Sequence, residues 1–148
     1  FREPAFDVVR VEEVLSAKSR EIPPLITVSA HDKVRQAVEI LQEHGISQAP
    51  VVREESIDVS QFMGSIRDRE LLERVFRDPD SLQSDVAEVM AAPIPMVEWD
   101  APVEVAFGEL ERSPAVVVTK AGQALGVLTR SDLLEFLAAR RGGNGEPR

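Results

Sequence analysis

The chain has 148 residues, 43% of them hydrophobic, which suits one ordinary domain or two small lobes sharing a core. It contains no cysteine, excluding disulfides, thiol catalysis and zinc sites built on thiolates. The 17 Lys and Arg against 26 Asp and Glu give a formal net charge of −9, and acids interleave the local run Arg67, Arg69, Arg74 and Arg77, so a nucleic-acid backbone is not the expected partner. No apolar run reaches the roughly 18 residues of a membrane span and the first residues lack a signal-peptide pattern, so no membrane partner and a cytoplasmic location are expected.

Taken in order, VEEVLSA (11–17) precedes prolines and a short β-prone run, LITV (25–28). Val34, Ala37, Val38, Leu41 and His44 then recur at helical spacing and predict an amphipathic helix that ends at Gly45 in the C′ position. APVVR (49–53) reads as a buried strand, QFMGSI (61–66) as its hairpin partner, and Leu71, Leu72, Val75 and Phe76 as a closing helix. DPDSLQSD (78–85) reads as a linker. VAEVMAA (86–92) and IPMV (94–97) follow, then a helix with Val103, Ala106, Phe107 and Leu110 on one face, with Asp100 as its expected cap. PAVVVT (114–119) and ALGVL (124–128) flank KAGQA (120–124), a hairpin turn in which Gly122 supplies positive φ. Leu133, Leu134 and Leu137 close the pattern, and RGGNGEPR (141–148) reads as a disordered tail.

The second half repeats the first. VEEVLSA matches VAEVMAA, APVV matches AVVV, and GSIRDRELLE (64–73) matches GVLTRSDLLE (126–135); Val34, Ala37 and Leu41 match Val103, Ala106 and Leu110 at a common offset of 69. The expected class is α/β (α+β): two β-α-β-β-α motifs packed sheet to sheet with pseudo-two-fold symmetry. A three-stranded sheet with two helices on one face buries too little alone, and two such lobes would leave two equivalent clefts, where small ligands tend to sit. The expected boundaries are 1–78 for the lead-in and first motif, 79–141 for linker and second motif, and 142–148 for the tail.

Two copies of this order, the first ending in Gly-Ser-Ile and the second in Gly-Val-Leu, each followed by an acid and Leu-Leu, resemble the tandem cystathionine-β-synthase (CBS) domain pair, or Bateman module, over roughly residues 8 to 140. GVLTRSDLL is the specific match and GSIRDRELL a weaker one. GISQAPVV (45–52) is similar to the first CBS motif of cystathionine β-synthase, whose pyridoxal-phosphate catalytic domain precedes the pair; FREPAF (1–6) would then be the remnant of an interdomain linker.

The resemblance implies a non-catalytic regulatory module with no covalently bound cofactor, whose clefts take adenosyl ligands. S-adenosylmethionine is the first choice, because GISQAPVV points towards cystathionine β-synthase and the site lacks the several cations a triphosphate wants, with AMP, ADP and ATP next. It implies that Asp132 holds the ribose hydroxyls and that Thr129 faces the 5′ substituent, flanked by Leu128 and Arg130. Ser47, Gln48, Ala49 and Pro50 would complete that cleft, with Val28 near the base. A second, weaker cleft would involve Arg67, Glu70, Ser113, Pro114 and Ala115; Arg67 replaces the hydroxyl residue there and cannot cap a helix by accepting a hydrogen bond. A homodimer and an attached or partner enzyme domain are the implied partners.

The residues support part of this on their own. A carboxylate accepting from vicinal hydroxyls makes charge-assisted bonds, and a helix N-terminus offers unpaired N–H groups. Thr-x-x-Asp before an apolar run is equally a capping box. His31 and His44 have no carboxylate cluster at ligand spacing, Trp99 suits packing, and Lys18, Lys33 and Lys120 lie among polar residues. No GxSxG, GxxxxGK or GxGxxG appears, so an enzyme reading has no residues to stand on. The alternative to a ligand sensor is a structural dimerisation scaffold with empty clefts, associating through apolar closing helices such as LLEFLAA.

Overall fold

The computed structural model describes residues 8–18 and 25–143. Helix α1 (Val11–Ala17) leads to β1 (Val28–Ser29), α2 (Val34–His44), β2 (Gln48–Val52), β3 (Phe62–Arg67) and α3 (Asp68–Arg77). Helix α4 (Val86–Val89) leads to β4 (Met96–Glu98), α5 (Val103–Leu110), β5 (Ala115–Lys120), β6 (Gln123–Thr129) and α6 (Arg130–Gly143). The mixed α/β class and the strand-helix-strand-strand-helix order are thus present twice. Within each three-stranded sheet the first strand is parallel to the second, and the second is antiparallel to the third. The parallel pairs require crossovers, which α2 and α5 supply.

Local chemistry explains the ends of these elements. Gly45 adopts φ 62, its N–H donates to Gln42 O and that of Ile46 to Leu41 O, the two bonds of a Schellman stop. Lys120 pairs with Gln123 across a turn whose central residues, Ala121 and Gly122, both have positive φ (53 and 76), as a type I′ hairpin demands. The expected linker is ordered: Pro79–Gln83 form a 3-10 turn capped by the Asp78 carboxylate. Asp100 does not cap α5; Pro102 occupies that position, and the Asp100 carbonyl instead accepts from Arg10 Nη1 at 2.7 Å. Phe107 is half exposed, so the buried face of α5 is narrower than its apolar pattern and centres on Ala106 and Leu110. Helix α6 runs through Gly143, making residues 142 and 143 of the expected tail helical. FREPAF and residues 144–148 lie outside the described residues.

The chain divides into two compact units, and they do not follow the sequence repeats. One is Ile26–Ile94. The other joins the described residues up to Leu25 with those from Pro95 onward. Each lead-in helix therefore packs in the unit of the other repeat's sheet. Val11, Val14 and Leu15 of α1 join Val97, Leu110, Val116, Leu128 and Leu133 in one core, and Val11 N donates to Ala101 O. Val86 of α4 joins Val28, Val34, Ala37, Val51 and Ile66 in the other, with Val86 N bonded to Asp32 O. Helices of seven and four residues are too short to persist alone in water, so their apolar faces hold them only against a sheet. Trp99 packs on the α1 core, as expected, with Lys120 Nζ 4.2 Å from its ring centroid. Among the described residues no helix is long and apolar enough to cross a membrane.

Candidate functional site

The corner between β6 and α6 carries the residues singled out by sequence. Thr129 ends β6, and Asp132 lies three residues on, in the first turn of α6. Asp132 N donates to Thr129 Oγ1 at 3.2 Å, and Thr129 N donates to Asp132 Oδ2 at 2.9 Å. This reciprocal pair is a capping box, satisfying two amides that the helix itself leaves unpaired. Capping engages Oδ2. Oδ1 makes no hydrogen bond or ion pair among the described residues, and the carboxylate borders a cavity of about 340 Å³. Val14 and Ala17 of α1 and Phe136 and Ala139 of α6 form its apolar lining. Capping thus occupies one oxygen of the carboxylate, with space beside the group on the scale of small-ligand pockets.

Lys18, just past the end of α1, completes the corner. Its ammonium is 3.1 Å from Asp132 Oδ2 and donates to Val127 O at 2.7 Å. The side chains of Lys18 and Asp132 are only 22% and 19% exposed. Polar surroundings do not describe this lysine. The signal that could have found it is positional: VEEVLSAK aligns with VAEVMAAP, so Lys18 corresponds to Pro93 and belongs to one repeat alone.

The other flanking residues have structural duties. Leu128 is buried in the α1 core, and Arg130 Nε donates to Leu110 O at 2.6 Å, tying α6 to the end of α5. Val28 and Ala49 belong to the core of unit Ile26–Ile94 and are each 1% exposed. Ser47 is exposed and its carbonyl accepts from Asp68 N, while Pro50 is buried.

Register brings together residues that the sequence reading assigned to different clefts. Gln48 is the direct cross-strand partner of Arg67, and Ala115 that of Thr129. Opposed residues share a face of the sheet. Gln48 Oε1 and Arg67 Nε are both buried without a hydrogen-bond partner among the described residues, leaving one acceptor and one donor unsatisfied. Ser113 is buried and its hydroxyl donates to Ala115 O, a local turn that occupies it, with Pro114 between.

The equivalent corner of the first repeat is built differently. Arg67 precedes α3 and makes no side-chain cap; its guanidinium instead lies 3.7 Å from Glu70. The adjoining cavity, about 620 Å³, is bordered by Arg67, Arg74 and Arg77 together with Glu70, Glu73 and Met90. A third cavity of about 750 Å³ is an apolar groove between α2 and α3, lined by Val38, Leu41, Leu72 and Val75.

With this geometry in hand, comparison with known proteins gives a consistent result. The model for the CBS domain matches residues 11–77 and 86–139. Among solved structures, a protein with CBS domains from Burkholderia ambifaria is 23% identical with a TM-score of 0.76, covering 90% of this chain and 96% of that one. The CBS domain pair of protein MJ0100, solved with 5′-methylthioadenosine and S-adenosylmethionine, is 19% identical with a TM-score of 0.70, covering 90% and 99%. The CBS domain of a bacterial CNNM/CorC-family Mg²⁺ transporter, solved with ATP, is 22% identical with a TM-score of 0.69, covering 87% of each. At these identities the likeness shows the fold.

Proposed function

The chain belongs to the CBS-domain family, and from that premise we propose that it is a regulatory module which binds an adenosyl ligand at the Asp132 corner and controls an attached or partner enzyme. The observation that carries this is the Asp132 carboxylate, which borders a cavity of about 340 Å³ while its Oδ2 is held by the Thr129 amide. A carboxylate so fixed accepts charge-assisted bonds from ribose hydroxyls without rearranging. The complexes of MJ0100 with S-adenosylmethionine and of the transporter domain with ATP support the ligand class. Regulation requires only that the ligand bind two states of the module with different affinity, couplings of this kind being about 1–3 kcal/mol. The likeness of GISQAPVV to cystathionine β-synthase supports a pyridoxal-phosphate lyase as the controlled enzyme.

Isothermal titration with S-adenosylmethionine, AMP and ATP tests this reading. At least one of them binds, and Asp132→Ala weakens that binding at least about tenfold, the size of a charge-assisted hydrogen-bond pair. No heat and no thermal shift with any of the three overturns it. A second reading, a dimerisation scaffold, draws on a different observation: Leu72 and Phe76 of α3 are 70% and 84% exposed, and Leu134 of α6 is 69% exposed. Such apolar surface favours a second copy of the chain. Light scattering checks it; the wild type runs as a dimer and Leu72→Glu with Phe76→Glu as a monomer, and an unchanged mass would count against it.

A further inference from the structure

The contact between Lys18 and Asp132 bears on which adenosyl ligand this corner accepts. Lys18 is positioned by two fixed acceptors, the Val127 carbonyl on an edge strand and Asp132 Oδ2, which is itself pinned by the Thr129 amide. Its ammonium therefore sits against the very carboxylate that would take the ribose. Without it the corner would carry the uncompensated charge of Asp132, which attracts a cation and repels a phosphate. With it the pair is close to neutral, and of the three ammonium N–H groups two are directed at partners among the described residues, Val127 O and Asp132 Oδ2. Of the other charges nearby, Glu135 is exposed at the cavity rim and screened by water, and Arg130 is turned towards Leu110 O.

The first repeat reaches the same electrostatic result by another route. There Pro93 stands where Lys18 would be, and the cation comes from Arg67, 3.7 Å from Glu70. Both corners set a cation on the acid although no single aligned position supplies it.

Resting on the adenosyl reading above, we infer that Lys18 is a specificity-determining residue: its ammonium favours adenosyl ligands with an anionic 5′ substituent, a phosphate, over those with a cationic sulfonium. The expectation of S-adenosylmethionine rested on the GISQAPVV likeness and on the lack of the several cations a triphosphate wants; Lys18 supplies one cation from a distant part of the chain.

Three ligands of different 5′ substituent separate the possibilities: AMP (an anionic phosphate), 5′-methylthioadenosine (neutral) and S-adenosylmethionine (a cationic sulfonium bearing an amino-acid arm), the effect of Lys18 being read as the change each substitution makes within one ligand. Titrations are run on wild type, Lys18→Gln, Lys18→Arg and Asp132→Asn. AMP binds the wild type most tightly. Lys18→Gln weakens AMP about tenfold, the order expected for loss of one attractive unit charge near a phosphate in a partly buried site, and leaves 5′-methylthioadenosine within about threefold. Lys18→Arg keeps the wild-type order, which guards against a mere packing defect in the glutamine variant. An AMP to S-adenosylmethionine affinity ratio that Lys18→Gln leaves unchanged, or tighter binding of S-adenosylmethionine than AMP by the wild type, overturns the role of Lys18. If 5′-methylthioadenosine binds and Asp132→Asn abolishes it, the site reading stands whatever becomes of Lys18; if none of the three binds, both fall.

Discussion

Gly64 is a residue at which a single methyl group should be costly. A Cβ built there would lie 2.5 Å from Ala91 O, 2.9 Å from Met90 Sδ and 3.0 Å from Met90 Cγ. The methionine can swing aside, but the carbonyl cannot. Ala91 and Ser65 exchange both backbone hydrogen bonds, at 2.8 and 3.0 Å, and Ser65 Oγ donates to Ala92 O at 2.6 Å. Relieving the contact means pushing the segment after α4 off the edge of β3. Overpacking of this kind costs about 1–3 kcal/mol, and each buried hydrogen bond weakened adds about 1 kcal/mol, so Gly64→Ala should lose about 3 kcal/mol. At roughly 2–4 °C per kcal/mol for a chain of this size, the unfolding midpoint falls by about 6–12 °C. Gly45→Ala is the control: its Cβ meets nothing within 4 Å, so its positive φ alone costs about 1 kcal/mol. Differential scanning calorimetry with urea unfolding measures both. A Gly64→Ala protein no less stable than Gly45→Ala would refute the idea that the α4 segment is clamped against β3.

Other expectations concern local strain and charge. Ala121→Asn removes the strain of an alanine at φ 53 in the type I′ turn and should stabilise the protein by about 0.5–1 kcal/mol in urea titration; a loss of stability would contradict the turn assignment. The exposed ion pair of Lys33 with Asp85, 2.8 Å apart, makes a testable pH signature. Its hydrogen bond holds the Asp85 carboxyl below the usual carboxylate value and raises Lys33 above the usual lysine value. The lowered Asp85 contributes stability present above its unfolded pKa and lost as pH falls through its folded pKa; the raised Lys33 contributes below its unfolded pKa and loses it as pH rises through its folded one. Lys33→Gln should therefore show its small deficit at neutral pH and none in strong acid or strong base. An equal deficit at all pH values would show that the substitution acts through packing instead.

Local patterns were legible because their causes are local. The helix from Val34 to His44 follows from apolar spacing, and its end from the one residue that takes φ 62 without a Cβ clash. Gly122 in the hairpin turn is the same kind of inference. Where an expectation failed, a neighbour distant in sequence had intervened. Asp100 looked like a cap for α5, but its segment is engaged by α1: Trp99 O accepts from Glu12 N and Ala101 O from Val11 N. Phe107 fitted the apolar face by spacing, yet the core closes around Ala106 and Leu110 before reaching it.

The repeat, the βαββα order, the family and the Thr129–Asp132 corner are legible along the chain, since each is written in residues a few positions apart or in the agreement of two copies. Tertiary structure alone decided that each lead-in helix joins the unit of the other repeat's sheet, and so that Lys18 meets an aspartate 114 positions away. The reason is physical: α1 and α4 are nearly equivalent in apolar pattern, and nothing local distinguishes the sheet before from the sheet after. Only the closing of each core chooses, and with it the charge that stands beside Asp132.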